Sequence, residues 1–328
     1  MLYGIETDAC GIQRAETVVL KPPNPGMKWP VLKDVTITQA GNNLPRSSLA
    51  IHDVSTWKAK LALAFVDRGN ATTMVRHGQS GPLAVQRPFY PEGRKVCHVY
   101  LLHPPGGLVP GDTLALEIAV ETGAHALLTM PAATKFYRSD GRIAQQIQHF
   151  HVADGAVLEW LPQETILFAG ALARLYTRID LSKSATFIGW DILCFGRPAC
   201  AERFSNGSCG QHFELWRDGE PLVIDRIQFD HELLEATWGL AGFPVSATLI
   251  ATAPTLSQSI AETLIDNLRT IGAPTNGHFS VTLLNGVLVG RYLGHRTDEA
   301  RNIFGNAWQQ IRPVLTGREA CPPRVWFT

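Results

Sequence analysis

The sequence predicts a mainly β protein of stacked β layers, a β-solenoid or β-helix-like architecture, joined by two α-helices. Three observations carry this. A turn-plus-strand unit recurs about every 30 residues, apolar and small residues alternate through most of the chain, and only two segments carry a helical period.

The recurring unit is most visible at its corners. Gly123-Ala-His-Ala-Leu-Leu128 is a turn followed by an apolar strand, and Gly155-Ala-Val-Leu-Glu-Trp160 repeats it 32 residues on. Ser184-Ala-Thr-Phe-Ile-Gly-Trp190 repeats it again after 29 residues. A second echo aligns Pro131-Ala-Ala-Thr134-Lys-Phe136 with Pro162-Gln-Glu-Thr165-Ile-Leu167. Each unit is made of strands and turns, so stacked layers are the natural result.

The other elements follow in chain order. Residues 1–54 hold Lys21-Pro-Pro-Asn-Pro-Gly26, Pro30 and Pro45 and sustain no period, which predicts an irregular N-terminal extension with at most a short strand at Val35–Thr38. A single β domain is expected over residues 55–328. Leu61, Leu63 and Phe65 alternate with alanines, and Leu114, Leu116, Ile118 and Val120 do so with Ala115, Glu117 and Ala119, as strands require. Asp218-Gly219 and Asn285-Gly286 each join two apolar runs and predict tight hairpins. One helix is expected near 255–270, capped by Thr255, with Leu256, Ile260, Leu264 and Leu268 on one face and Gly272 beyond it. A second is expected near 297–312, capped by Thr297. Its buried face is Ala300, Ile303, Phe304, Ala307, Trp308 and Ile311, and Pro313 ends it.

Composition narrows the function. The 328 residues are 45% hydrophobic and 18% charged, enough for a sizeable core. Lys+Arg and Asp+Glu are 29 each, so no overall basic field invites nucleic acid. No apolar run reaches a membrane span, and the N-terminus has no signal-peptide pattern, which predicts a cytoplasmic protein. The six cysteines form no Cys-x-x-Cys and are expected to be reduced thiols.

Catalytic signatures fail one after another. There is no P-loop. Gly78-Gln-Ser80-Gly81-Pro82 lacks the second glycine of a nucleophile elbow, and His231-Glu232 lacks the second histidine of a zinc-protease helix. His149 with His151, and Cys209 with His212, are pairs that lack further ligands nearby and read as structural. The less ordinary feature is acidic. Glu159, Glu164 and Asp191 each sit inside an apolar segment, where a carboxylate needs a cation, hydrogen bonds or water. Lys135, Arg138 and Arg197 are the expected partners. Ion pairing or solvent exposure is the plainer outcome. The sharper one is a wet acidic path inside the β domain that holds a divalent cation transiently.

Several long blocks carry ordered, low-degeneracy motifs. They are Ser80-Gly-Pro-Leu-Ala-Val-Gln-Arg-Pro-Phe-Tyr-Pro-Glu-Gly93, His103-Pro-Pro-Gly-Gly107 with Gly111-Asp112, and Pro131-Ala-Ala-Thr-Lys-Phe-Tyr-Arg-Ser139. Leu158-Glu-Trp-Leu-Pro-Gln-Glu-Thr-Ile-Leu-Phe168, Trp190-Asp-Ile-Leu-Cys-Phe-Gly-Arg-Pro-Ala199 and the closing Pro323-Arg-Val-Trp326 complete them. Together, over about residues 57–328, these blocks resemble the urease accessory protein D family, also called UreH. Pro110 stands where Gly is expected. The resemblance implies a mostly β fold without catalytic activity. It also implies that the protein binds apo-urease and accessory protein F, and through F the GTPase accessory protein G, to support nickel insertion. No tightly bound cofactor is implied, only transient nickel, for which Glu159, Glu164 and Asp191 are the candidate residues. A β-helix hydrolase or isomerase using the same carboxylates is the alternative.

Overall fold

The sequence repeat is the register of the structure. In the computed structural model, which describes residues 56–271 and 276–327, His125 lies opposite Val157 and Val157 opposite Thr186 on parallel strands. Thr134 likewise lies opposite Thr165. Each corner is a turn closed by one backbone bond, Ala124 to Glu121, Ala156 to Ala153 and Ala185 to Ser182. Gly123 and Gly155 take φ of 74° and 65° there, as the third position of a type II turn demands, whereas Ser184 holds that position in the third corner without a positive φ. The three alanines are fully buried, so successive coils stack closely.

The described residues begin with an antiparallel pair, β1 (Lys58–Asp67) and β2 (Thr72–Ser80), then β3 (Ala84–Val85) and β4 (Val96–Leu102). One coil is β5 (Thr113–Val120), β6 (His125–Thr129) and β7 (Thr134–Phe136). The next is β8 (Ala144–Val152), β9 (Val157–Leu161) and β10 (Thr165–Leu167). β11 (Leu172–Leu181) and β12 (Thr186–Arg197) follow, then β13 (Glu202–Arg203) and β14 (Ser208–Arg217). The coiling ends where β15 (Glu220–Phe229) folds back antiparallel on β14. After α1 (His231–Glu235) come β16 (Val245–Thr252), α2 (Gln258–Arg269), β17 (His278–Leu284), β18 (Val287–Gly294) and α3 (Thr297–Thr316).

Two sheets result. The first runs β15-β14-β11-β8-β5-β1-β2, the second β17-β18-β16-β12-β9-β6-β4-β3 with β10, β7 and β13 attached. The strands make a solenoid of about four turns. Its interior is packed by Phe65, Phe136, Phe150, Phe187, Phe195 and Phe229. A separate core lies on the other face of the second sheet, where Leu127, Leu161, Ile188, Trp190 and Ile192 meet α2 and α3. Parallel strands buried on both faces have continuous apolar runs, as β6 and β12 do.

Both hairpins form as expected. Asp218-Gly219 and Asn285-Gly286 take positive φ at both central residues. The helices need correction. There are three among the described residues. The unexpected α1 is a single turn capped by Asp230, whose Oδ1 accepts from the Leu233 N–H at 3.0 Å. The cap of α2 is Ser257, not Thr255, and its buried face is Ala261, Leu264, Ile265 and Leu268. Ile260 faces solvent, and Leu256 precedes the helix. Gly272 and the extension expected over residues 1–54 lie outside the described residues. The expected face of α3 is buried in full, but the flanking residue Arg296 is its N-cap and Pro313 does not end it. The helix continues because Leu315 packs beneath it, and it stops at Gly317, whose φ of 68° returns its N–H to the Pro313 carbonyl.

Candidate functional site

Strand alternation places the three embedded carboxylates differently. In β12, Trp190 and Ile192 point to the helix side, so Asp191 points into the solenoid. It faces a cavity of about 50 Å³ between the sheets, room for a few water molecules. The wall is unusually polar for a solenoid core: Gln146, Gln148, Thr165, Thr177 and Gln211 join Asp191, among Trp160, Leu175, Phe187 and Phe213. Gln211 Nε2, from the opposite sheet, donates to Asp191 Oδ2 at 2.6 Å. Half-buried against the cavity, the Asp191 carboxyl is pushed up to about 6 by desolvation, which the Gln211 and Ile192 hydrogen bonds only partly oppose. The neighbouring Cys209 thiol is pushed up by its burial and by the Asp191 charge. Cys194 is pushed up to about 12 by burial and by the nearby Glu164. Both thiols are therefore inert packing groups.

Glu159 lies on the opposite face of the same sheet, fully buried under α3. Arg312 Nε reaches both of its oxygens at 3.0 Å, Trp308 Nε1 donates to Oε2 at 2.6 Å, and His125 Nε2 lies 2.7 Å from Oε1. Arg312 also holds both oxygens of Glu92 at 2.8 Å and donates to the Glu319 carbonyl. His98 Nε2 lies 2.6 Å from Glu92. Burial would raise the Glu159 carboxyl, but His125, Arg312 and Trp308 outweigh it and hold it below the usual range. The same balance, with His98 and Arg312 as partners, lowers Glu92. This cluster ties the C-terminal helix to the solenoid wall.

Glu164 sits at the corner between β9 and β10, partly exposed. Its Oε2 accepts no hydrogen bond, and the Arg301 guanidinium lies 3.6 Å away. Arg301 donates to the adjacent Gln163, itself a lining residue, at 2.5 Å. The three carboxylates are thus not gathered in one place: Asp191 faces the cavity, Glu164 lies beside Arg301 of α3 and does not line the cavity, and Glu159 sits at the helix interface.

The expected basic partners are also replaced. Arg197 pairs with Glu202 and stacks on Phe168. The actual partners, Arg312, Arg301 and Gln211, come from later elements. The histidine pairs supply no metal centre. His149 stacks edge-on against Tyr176, and burial pushes it down to about 4. His212 points outward beside Glu214, at 2.8 Å, while Cys209 points inward. Among the described residues no three His, Cys, Asp or Glu side chains are grouped to hold a metal. Among them also, no helix is long and apolar enough to cross a membrane.

A family model described as UreD urease accessory protein matches residues 58–327. A urease accessory protein UreD from Chromohalobacter salexigens is 46% identical over 284 residues, covering 83% of this chain and 89% of its own. UreD proteins from an Azoarcus species and a Nostoc species are 42% and 43% identical, covering 83% and 84% of this chain and 94% and 98% of theirs. The match spans the whole solenoid and its helices, and the chain belongs to the UreD family of urease accessory proteins.

Proposed function

We propose that the protein acts in urease maturation as a cytoplasmic, non-catalytic scaffold. In this reading it binds apo-urease and accessory protein F, and through F accessory protein G, and its lumen carries nickel in transit. Nickel is cargo, and no resident cofactor is needed. Neither nucleic acid nor membrane is a partner.

The observation that carries the passage is Asp191 in a polar cavity. A half-buried carboxylate with only neutral partners is a poor stabiliser and a good transient ligand. Oxygen donors hold nickel less firmly than a thiolate and imidazole set would. Neither Cys194, in the helix-side core, nor the fully buried Cys209 lines the cavity, so no soft, trapping thiolate faces it there. The hydrolase alternative needs two carboxylates across one cleft with pKa values pushed apart. The values here do diverge, but Glu159 and Asp191 lie on opposite faces of a sheet, which favours the scaffold.

The test is urease matured with Asp191→Asn or Glu164→Gln in place of the wild-type chain. Nickel per urease active site is measured beside pull-down of the complex with urease, F and G. Each variant is expected to retain the complex and lower nickel content severalfold. Normal nickel content in the double variant removes the passage and leaves a plain scaffold.

A further inference from the structure

The cavity lining includes an ion pair that is also exposed to solvent. Across the second sheet Asp191 lies opposite Thr248, and Thr248 opposite Arg291. Residues in one such row share a face, so Arg291 continues the lumen wall from Asp191 toward the strands that end the coiling. Its Nη1 donates to Thr248 Oγ1 at 2.9 Å and its Nη2 to Asp225 Oδ2 at 2.5 Å. Asp225 belongs to β15, the last strand of the first sheet. The pair therefore spans the gap between the two sheets, as Asp191 and Gln211 do deeper in. All of these residues line the one cavity.

Their placement differs. The Arg291 and Asp225 side chains are 45% and 28% exposed, with Asp225 on the edge strand of the first sheet, whereas Asp191 is half-buried and lies between the sheets, hydrogen-bonded to Gln211. A half-exposed pair adds little to stability, so the fold does not depend on it and it can exchange partners. Its electrostatics are directional. The more exposed guanidinium repels any cation, while the carboxylate beside it attracts one. A monovalent ion gains no charge advantage by replacing a guanidinium at Asp225. A divalent ion does.

We propose that the Arg291–Asp225 pair is a gate that admits a divalent cation to the lumen by exchanging the guanidinium for the metal at the Asp225 carboxylate. Thr248 Oγ1 keeps a hold on the displaced Arg291, and Asp191 is the next carboxylate inward. This inference rests on the passage reading above.

The experiment is activation of apo-urease by the full chain in complex with F and G, supplied with nickel chloride, with nickel per active site followed over time. Asp225→Asn leaves Arg291 as an unpaired positive plug and is expected to slow nickel uptake about tenfold, the scale of one unfavourable charge contact. Arg291→Gln is expected to speed it severalfold. The double variant, with both charges gone, is expected to recover to within about twofold of the wild type, a recovery that also rules out misfolding as the cause of the slow single variant. Asp191→Asn runs alongside. If it and the gate variants all load normally, the passage fails and takes the gate with it. If Asp191→Asn is slow but Asp225→Asn is normal, or the double variant does not recover, the passage stands and the gate is overturned. Should Asp225→Asn fail to join the complex, Arg291→Gln decides alone, and unchanged or slower uptake overturns the gate.

Discussion

The two faces of the second sheet carry one carboxylate each, and they treat it in opposite ways. On the helix side Glu159 meets Arg312, His125 and Trp308 and is held below the usual range. On the lumen side Asp191 meets only two neutral donors, Gln211 and the Ile192 backbone, and is pushed up to about 6. Glu159 is fully buried and Asp191 only half-buried, so burial alone would raise Glu159 the more, the reverse of what is found. What decides is whether the site supplies compensating charge and donors. The helix face spends its polar groups on holding the chain together. The lumen face leaves its carboxylate under-compensated, which costs stability and leaves it free to meet a cation.

The sharpest way to break this contrast is at Arg312, which is fully buried and bridges Glu92 and Glu159. Arg312→Met removes the cation and strands two carboxylates beside α3. Breaking a buried pair from one side costs about 3–5 kcal/mol. A large fall in melting temperature is expected, with loss of protease resistance beginning in α3. A loss under about 1 kcal/mol would show that water reaches the cluster and that it is not the dry clamp described.

The same cluster sets the next effect. Glu159→Gln keeps the shape but gives Arg312 a neutral partner and points an amide donor at other donors. A loss of about 2 kcal/mol is expected at pH 7, in line with hydrogen bonds to charged groups. The sign with pH follows from the lowered value. A depressed carboxylate contributes its stability above the ordinary carboxylate range and loses it as pH falls through the folded value. The wild type should therefore lose stability on acidification faster than Glu159→Gln, and the two denaturation midpoints should converge. Parallel pH profiles would remove Glu159 from the clamp.

How much of this was legible in the sequence depends on distance along the chain. Corner turns, hairpins and the face of α3 are set by residues within a few positions of each other, and the repeat at Gly123, Gly155 and Ser184 reports the stacking directly. The cap of α2 was misplaced because Thr255 and Ser257 are both good caps two residues apart, and only geometry chooses. The carboxylate partners were out of reach, since Arg312 is 153 residues from Glu159 and nothing local marks it. Facing was the subtler problem. Alternation gives the period of a strand but not which side is in. Glu159 lies opposite Ile188, and Asp191 is an odd step beyond Ile188, so the two carboxylates must face opposite ways. That parity follows from the register, and the register came only from the structure. The Arg291–Asp225 contact had no sequence signal, because it joins strands of different sheets.

The smallest expected effect has the opposite sign and is the most discriminating. Asp191→Asn keeps an oxygen for Gln211 Nε2 and removes a charge the lumen barely compensates. An ordinary aspartate titrates near 3.8, and Asp191 near 6, so the folded state binds its proton more tightly than the unfolded chain. Stability then falls as pH rises through this window, and the ionised form is penalised in full above about 6. The gap corresponds to at most about 3 kcal/mol, and cavity water that solvates the carboxylate reduces it. Asp191→Asn is therefore expected to stabilise the protein by about 1–2 kcal/mol at pH 7.5, a gain that disappears by about pH 4, where wild-type Asp191 is itself neutral. Chemical denaturation of both chains from pH 4 to 8 measures it. If the variant is instead less stable at neutral pH, the Asp191 carboxylate is compensated as well as Glu159 is, and the difference between the two faces does not exist. If the gain appears while nickel loading falls, the lumen carboxylate costs the fold stability that only its traffic with a cation can account for.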